Sequence, residues 1–352
     1  MARSNRKRRP AKLIPSLVLV ALVAAAVLAA VALCWYRPAL RPVDPTRTAT
    51  QLVHIERGMS SSDIVHLLAN KGLVRDARAA LICATLSGAK GKLKAGYYDL
   101  SPALSTPEIL ETIASGKVAQ RRVVVVPGLR LSQIAQRVAT TGLAGPDDFM
   151  AHTRAAEYLS AVDVPLPPKG TVEGYLFPAT YTFAVGTSAP EIIRRMIEAF
   201  GSHFYKPHRA EIAASGHTLR EIVIVASLVE REAALDEERP LIAGVLYNRL
   251  ARGMKLQCDA TVQYALKKHK PRLLYKDLRV PSPYNTYLHA GLPPGPICSP
   301  GLGSLMAALR PAKHDYLFYV ARGGGYHQFT RTYQEHLRAI ERIRGGRRGQ
   351  YR

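Results

Sequence analysis

Cysteine and acidic residues are scarce in this 352-residue chain, and each scarcity excludes something. The four cysteines, at 34, 83, 258 and 298, lie too far apart for a C-x-x-C zinc or redox site, so no metal and no cofactor is implied. Asp and Glu number 26 against 49 Lys and Arg, a formal +23, and a field of that sign draws nucleic acid, acidic lipid or a polyanionic wall. The positive charge is scattered and forms no aromatic-interleaved groove, which sets nucleic acid aside. What remains is globular composition, 47% hydrophobic and 21% charged, with enough chain for two or three domains and a sizeable core.

Charge is absent altogether from Leu13 to Tyr36, directly after a leader holding Arg3, Arg6, Lys7, Arg8, Arg9 and Lys12 and no acid. From Leu17 the run is long enough for a helix of about 30 Å, the thickness of a bilayer's hydrocarbon core. Trp35 and Tyr36 before Arg37 read as an interfacial anchor, and the basic leader stays in the cytoplasm by the positive-inside rule. Ala30-Val31-Ala32 leaves signal-peptide cleavage as the alternative. The expectation is one transmembrane helix over 13–36 in the cell inner (cytoplasmic) membrane, the N-terminus cytoplasmic, the remainder periplasmic or otherwise extracytoplasmic. Without the six basic residues of the leader, 43 remain against 26 acidic ones, so the exported part keeps a charge of +17 suited to an anionic wall polymer.

Pro38, Pro42 and Pro45 make 37–50 read as a stiff stalk. Beyond it an internal repeat emerges: Val53, Gly58, Ser62, Ile64, Ala69, Gly72 and Leu73 recur 70 residues later as Val123, Gly128, Ser132, Ile134, Ala139, Gly142 and Leu143. Each copy reads as a strand, a glycine turn, a helix and a Gly-Leu stop. Tyr97–Leu100 reads as a further strand, and Ser105-Thr106-Pro107-Glu108 as a capping box opening a helix that ends at Gly116. The fold class is α+β, with a small module over 51–118 and a larger domain over 119–343. Helices are expected near 146–160, 189–214, 218–234 and 236–252. Pro281–Pro300 is too rich in proline for regular structure, and Tyr316–Val320 with Tyr326–Thr330 reads as a hairpin before a closing helix to about Ile343. Residues 344–352 read as a basic, frayed tail.

One acid stands out. Thr218-Leu219-Arg220-Glu221 is a capping box, and Ile222–Val229 is apolar around nearly every face, as in a buried helix. Glu230 falls on the face that Ile222 and Ala226 bury, while Glu232 points roughly opposite. A carboxyl held against apolar surface keeps its proton to higher pH, which suits a general acid. The alternative is an ion pair with a buried arginine such as Arg249.

At Ala226-Ser227-Leu228-Val229-Glu230-Arg231-Glu232-Ala233 the chain resembles the YceG-like family of membrane-anchored endolytic murein transglycosylases. The resemblance continues in family order through Glu173-Gly174-Tyr175-Leu176-Phe177-Pro178, Val245–Leu250, Leu256–Val262, Ser282–Tyr287 and Gly291–Ile297, and covers essentially everything beyond the stalk. Ala179 departs from it, standing where the family usually has an acid. Cys258 departs too, where Thr or Ser is more usual, and Cys298 lies in an otherwise matching loop. The resemblance implies a LysM-like first module and peptidoglycan glycan strands as substrate, with peptidoglycan synthases as candidate partners. It implies that Glu230 protonates the MurNAc-GlcNAc oxygen and that the muramyl 6-hydroxyl attacks, leaving a 1,6-anhydromuramyl end and terminating glycan elongation. Glu173, Asn248, Gln257, Asp259, Tyr284 and Asn285 are the candidate substrate-binding residues. Amides suit acetamido and hydroxyl groups, and tyrosines stack on sugar faces. A single residue serving as acid and then base needs no second carboxylate. Two alternatives stay open: a hydrolytic muramidase in which Asp259 activates water, and a wall-binding scaffold without catalysis. Cys258 and Cys298 are read either as two buried thiols or as a disulfide.

Overall fold

Repeated local chemistry gives repeated local structure. In the computed structural model, which describes residues 13–267 and 270–349, both copies of the repeat form a strand, a turn and a helix. After α1 (Leu13–Ala39), the first copy is β1 (Gln51–Ile55) and α2 (Ser61–Asn70). The Ser60 side chain accepts from the Asp63 amide, and Asp63 reaches back to the Ser60 amide at 3.0 Å, satisfying two otherwise orphaned donors. Gly58 and Gly72 in this copy and Gly128 and Gly142 in the other all take φ between 66° and 90°, a region closed to most side chains, so the repeat marks where the chain must turn.

The chain divides into two compact units. One runs up to Gln120 and includes Ala184–Gly186; the other comprises Arg121–Phe183 and Thr187 onward. In the first, α3 (Ala77–Leu86) follows α2, and β2 (Gly96–Leu100) returns antiparallel to β1 with Gln51 opposite Leu100. Next comes α4 (Thr106–Ser115), opened by the expected capping box and closed by Gly116 at φ 77°. Val53, Ile55, Ile64, Leu68, Tyr98, Leu100 and Ile109 form its core. The expected stalk is not free: Ala39 is buried, Arg75 donates to the Pro42 and Val43 carbonyls, and the Asp44 amide donates to Pro102. Prolines stiffen this segment, yet they leave its carbonyls open to Arg75. α1 is apolar and exposed, and Val18–Ala39 is long enough to cross a membrane. The basic leader lies outside the described residues.

The second unit begins with β3 (Gln120–Val124) and α5 (Leu131–Ala139), followed by α6 (Pro146–Ala151), β4 (Thr180–Ala184), α7 (Ala189–Phe200) and α8 (Arg209–Ala214). β3 and β4 pair in a two-stranded sheet. The helix expected over 146–160 stops at Ala151 and gives way to a short 3-10 turn at Ala155–Tyr158, and the one over 189–214 is broken by a π turn at Gly201–Tyr205. α9 (Leu219–Glu232) is the axis of the unit, and Ile222, Val223, Val225, Leu228 and Val229 on it are fully buried. Each contributes about 1.5–3 kcal/mol of transfer free energy before entropy is counted. Around it pack α10 (Arg239–Ala251), α11 (Asp259–Ala265) and α12 (Leu302–Leu309).

The proline-rich loop is irregular as expected and is tied to α9, because the Ile297 amide donates to Ser227 Oγ at 3.1 Å. Cys258 and Cys298 are separate buried thiols. The hairpin is β5 (Phe318–Gly323) and β6 (Tyr326–Thr330), with Phe318 opposite Thr330 and an irregularity between Ala321 and Gly323. α13 (Tyr333–Gly349) closes the unit and runs on past Ile343 into the segment expected to fray.

Candidate active site

α9 ends at Glu232 because Ala233 turns extended, at φ −77° and ψ 126°. Its last turn therefore presents Glu230, Arg231 and Glu232 in three directions, about 100° apart. Glu230 is only 9% exposed, but apolar surface is not what meets its carboxylate. Oε2 accepts from the Gly301 amide at 3.0 Å and from Ser304 Oγ at 2.7 Å, with Arg239 Nη1 at 3.4 Å. Glu230 thus ties α9 to the N-terminus of α12, where amides and the helix dipole favour an acid. Its arginine is Arg239 and not Arg249, whose donors go to the carbonyls of Leu317, Leu256 and Lys255.

Glu232 has the opposite surroundings. It lines a cavity of about 280 Å³ with Gln257, Asp259, Tyr287, Tyr319 and His336. Burial raises its pKa above the ordinary carboxyl value, and the charge of Asp259 raises it further. The Tyr319 hydroxyl, the Ala260 amide and His327 offset only part of this. The negative end of α9 acts in the same direction as burial.

Two of the sequence-predicted residues come to this cavity. Asp259 sits at the first position of α11 and accepts from the Tyr287 hydroxyl at 2.6 Å. Gln257 is held at φ 54°, a left-handed conformation that costs a non-glycine residue about 1–2 kcal/mol. Its amide donates to the Thr286 carbonyl at 3.2 Å, the Cys258 amide donates to Thr286 Oγ1 at 3.0 Å, and Thr261 Oγ1 lies 2.9 Å from Thr286 Oγ1. That cluster holds the strain and points Gln257 and Asp259 to one side.

The other predicted residues are elsewhere. Asn248 Nδ2, on α10, donates to the carbonyls of His314 and Tyr316 in the segment before the hairpin, and fully buried Asn285 donates to those of Leu278 and Val280 in its own loop, so both amides act as braces. Glu173 is buried beneath the start of α5, where the Leu131 amide donates to Oε1 at 3.0 Å, and Tyr284 lies near it, 4.8 Å ring to ring from Tyr264. Burial pushes Glu173 up to about 8 despite that amide, the Tyr264 hydroxyl and the charge of Arg130.

Sequence reasoning passed over Glu232 and Tyr319. Helical periodicity puts Glu232 away from the face of Ile222, but it carries no information on which element covers the other face. The conflict between an acid and a helix C-terminus was the available signal.

A raised carboxyl beside a second acid, with an amide and tyrosines around an open cavity, is an arrangement suited to acid–base chemistry on a polar substrate. The YceG-like family model matches residues 53–342, and the chain belongs to the YceG-like family. It is similar to a Bacillus subtilis (strain 168) protein named endolytic murein transglycosylase, 35% identical over 316 residues, 86% of this chain and 87% of that one. A protein of the same name from Streptococcus pneumoniae (strain D39) is 32% identical, over 80% of this chain and 56% of its own. The crystal structure of a yceG-like protein from Listeria monocytogenes superposes with a TM-score of 0.54 at 37% identity, covering 82% of this chain and 99% of that one.

Proposed function

We propose that this chain is an endolytic murein transglycosylase of the membrane, with Glu232 as its proton donor in place of the Glu230 expected from the family resemblance and helical periodicity. The observation that carries this is the cavity: Glu232 opens onto it with a raised pKa, whereas Glu230 is taken up as a brace. The Glu232 carboxyl gives its proton to the glycosidic oxygen, and the MurNAc C1–O bond breaks toward an oxocarbenium-like state. The carboxylate so formed then takes the proton of the muramyl 6-hydroxyl as that oxygen bonds to C1. The products are a 1,6-anhydromuramyl end and a free GlcNAc hydroxyl, with no water consumed. Asp259, hydrogen-bonded to Tyr287, adds to burial in favouring the protonated form of Glu232 and balances the positive charge at C1. Gln257 is suited to an acetamido group.

The same Asp259 favours a second reading, a hydrolytic muramidase in which it activates water. Products separate the two. Mass spectrometry of purified peptidoglycan incubated with the full chain is expected to give anhydromuramyl ends, while reducing ends alone assign hydrolysis and an uncut polymer leaves a wall-binding scaffold.

The strand–helix–helix–strand order of β1, α2, α3 and β2 supports a LysM-like module over 51–118. α1 supports a single-pass anchor in the inner membrane with its N-terminus cytoplasmic and the site extracytoplasmic. An enzyme so anchored cuts glycan as synthases deliver it, which suits a terminator of elongation.

A further inference from the structure

We infer that a cavity beside the catalytic helix is an anion subsite, built from Arg130, Arg231 and Lys267, that takes a carboxylate of the substrate's peptide branch. This rests on the murein reading above. The cavity measures about 310 Å³ and is lined, among the described residues, by these three cations with Gly128, Ser132 and Gln133, and by no acid. Arg231 and Lys267 form no ion pair among the described residues. Arg130 is held in place over the Tyr264 ring, 5.2 Å from its centroid.

The neighbouring acids make their hydrogen bonds to other groups. Glu230 Oε2 is committed to Gly301, Ser304 and Arg239. Glu173 accepts from the Leu131 amide and the Tyr264 hydroxyl, and burial raises its pKa to about 8, which favours its neutral form. Burial and then the charge of Arg231 lower the pKa of Arg130, and Tyr264, Glu173 and Cys298 offset part of this. A bound carboxylate relieves that repulsion through charge-assisted hydrogen bonds. Gly128 keeps the entrance clear, since a Cβ there would stand 3.4 Å from Arg231 Nη1 and at φ 82° would be strained as well.

Position supplies the substrate class. Arg231 precedes Glu232 on the last turn of α9, one Cα step of about 3.8 Å along the chain, with its side chain turned about 100° from that of Glu232 toward a separate cavity. In murein the peptide branch leaves the same muramyl ring whose C1 is attacked, and beyond its lactyl and alanyl units it carries several free carboxylates. The same cations would also accept the phosphate of a lipid-linked strand, so the test separates the two sources.

The full chain in detergent is titrated calorimetrically with the free stem tetrapeptide, with the same peptide amidated at its carboxylates, and with inorganic phosphate. The free-acid peptide is expected to bind, more weakly as salt rises, and Arg231→Gln and Lys267→Gln are each expected to weaken it about ten-fold. The amidated peptide is expected to lose the same factor. Equal binding of the acid and amidated peptides, unchanged affinity in both variants, or binding of phosphate with none of the peptide overturns the assignment. Because the readout is binding of a branch with no glycosidic bond, failure here is distinct from failure of the wild-type chain to cut peptidoglycan.

Discussion

Two acids two residues apart on one helix meet different groups, and the proposed roles follow from those surroundings. Glu232→Gln is expected to lower release of anhydromuramyl fragments by about 10² to 10⁴-fold with circular dichroism unchanged, since the amide keeps the shape and delivers no proton. Glu230→Ala, by contrast, leaves the Gly301 amide and Ser304 without their acceptor and is expected to cost about 1–3 kcal/mol of stability in denaturant unfolding. A Glu230→Gln variant that folds normally yet is as inactive as Glu232→Gln would return the proton donor to Glu230. The charge of Asp259 raises Glu232, so Asp259→Asn lowers it and moves the alkaline limb of kcat/KM to lower pH. An alkaline limb that stays in place in that variant removes Asp259 from this role. For Glu173 the sign runs through stability. Its folded pKa of about 8 lies above the ordinary 4.5, so the folded state holds the extra proton. That contribution is complete below about pH 4.5 and is lost as pH rises through 8. Glu173→Gln is expected to flatten the melting temperature over this window, and a wild-type profile already flat there contradicts the burial.

At the scale of elements, capping chemistry was legible and coverage was not. Thr218 with Glu221 and Ser105 with Glu108 start their helices where the sequence places them, and Gly116 ends the second. Local hydrogen bonds decide such ends, and local sequence encodes them. The stop at Ala151 and the π turn at Gly201 were not legible, since the helical pattern continues through both. Close approaches between elements were equally hidden. Gly244 in α10 has no turn to make, yet a Cβ there would lie 2.5 Å from the Ala312 carbonyl, a backbone atom unable to step aside. Gly244→Ala is expected to lose about 1–3 kcal/mol despite the gain in helix propensity, read as a lower urea midpoint. A midpoint equal to or above wild type means that the loop after α12 gives way.

For the whole molecule the question is where the site works. Removing residues 1–35 spares Ala39, the Pro42 contact and both cores, so the truncated protein is expected to fold, leave the membrane fraction and still cut purified peptidoglycan. Retention in membranes would put the anchor elsewhere. In intact spheroplasts, external protease is expected to digest the large unit of the full chain, and protection of that unit reverses the proposed orientation.

The apolar span, the repeated strand–turn–helix, the helix caps and the ordered family motifs could all be read from the chain alone. Each depends on neighbours in sequence or on period. The choice between Glu230 and Glu232 could not. Both lie on the last turn of a helix that is apolar all round, and their roles depend on Gly301 and Ser304 arriving on one side and Asp259, Tyr287 and Tyr319 on the other. Asn248 and Asn285 were ambiguous for the same reason, because an amide that binds a sugar and one that braces a loop differ only in which carbonyls come within reach. Those partners lie up to 87 residues from the acids in sequence, and only the packing of α12, the hairpin and the loops around α9 brings them together.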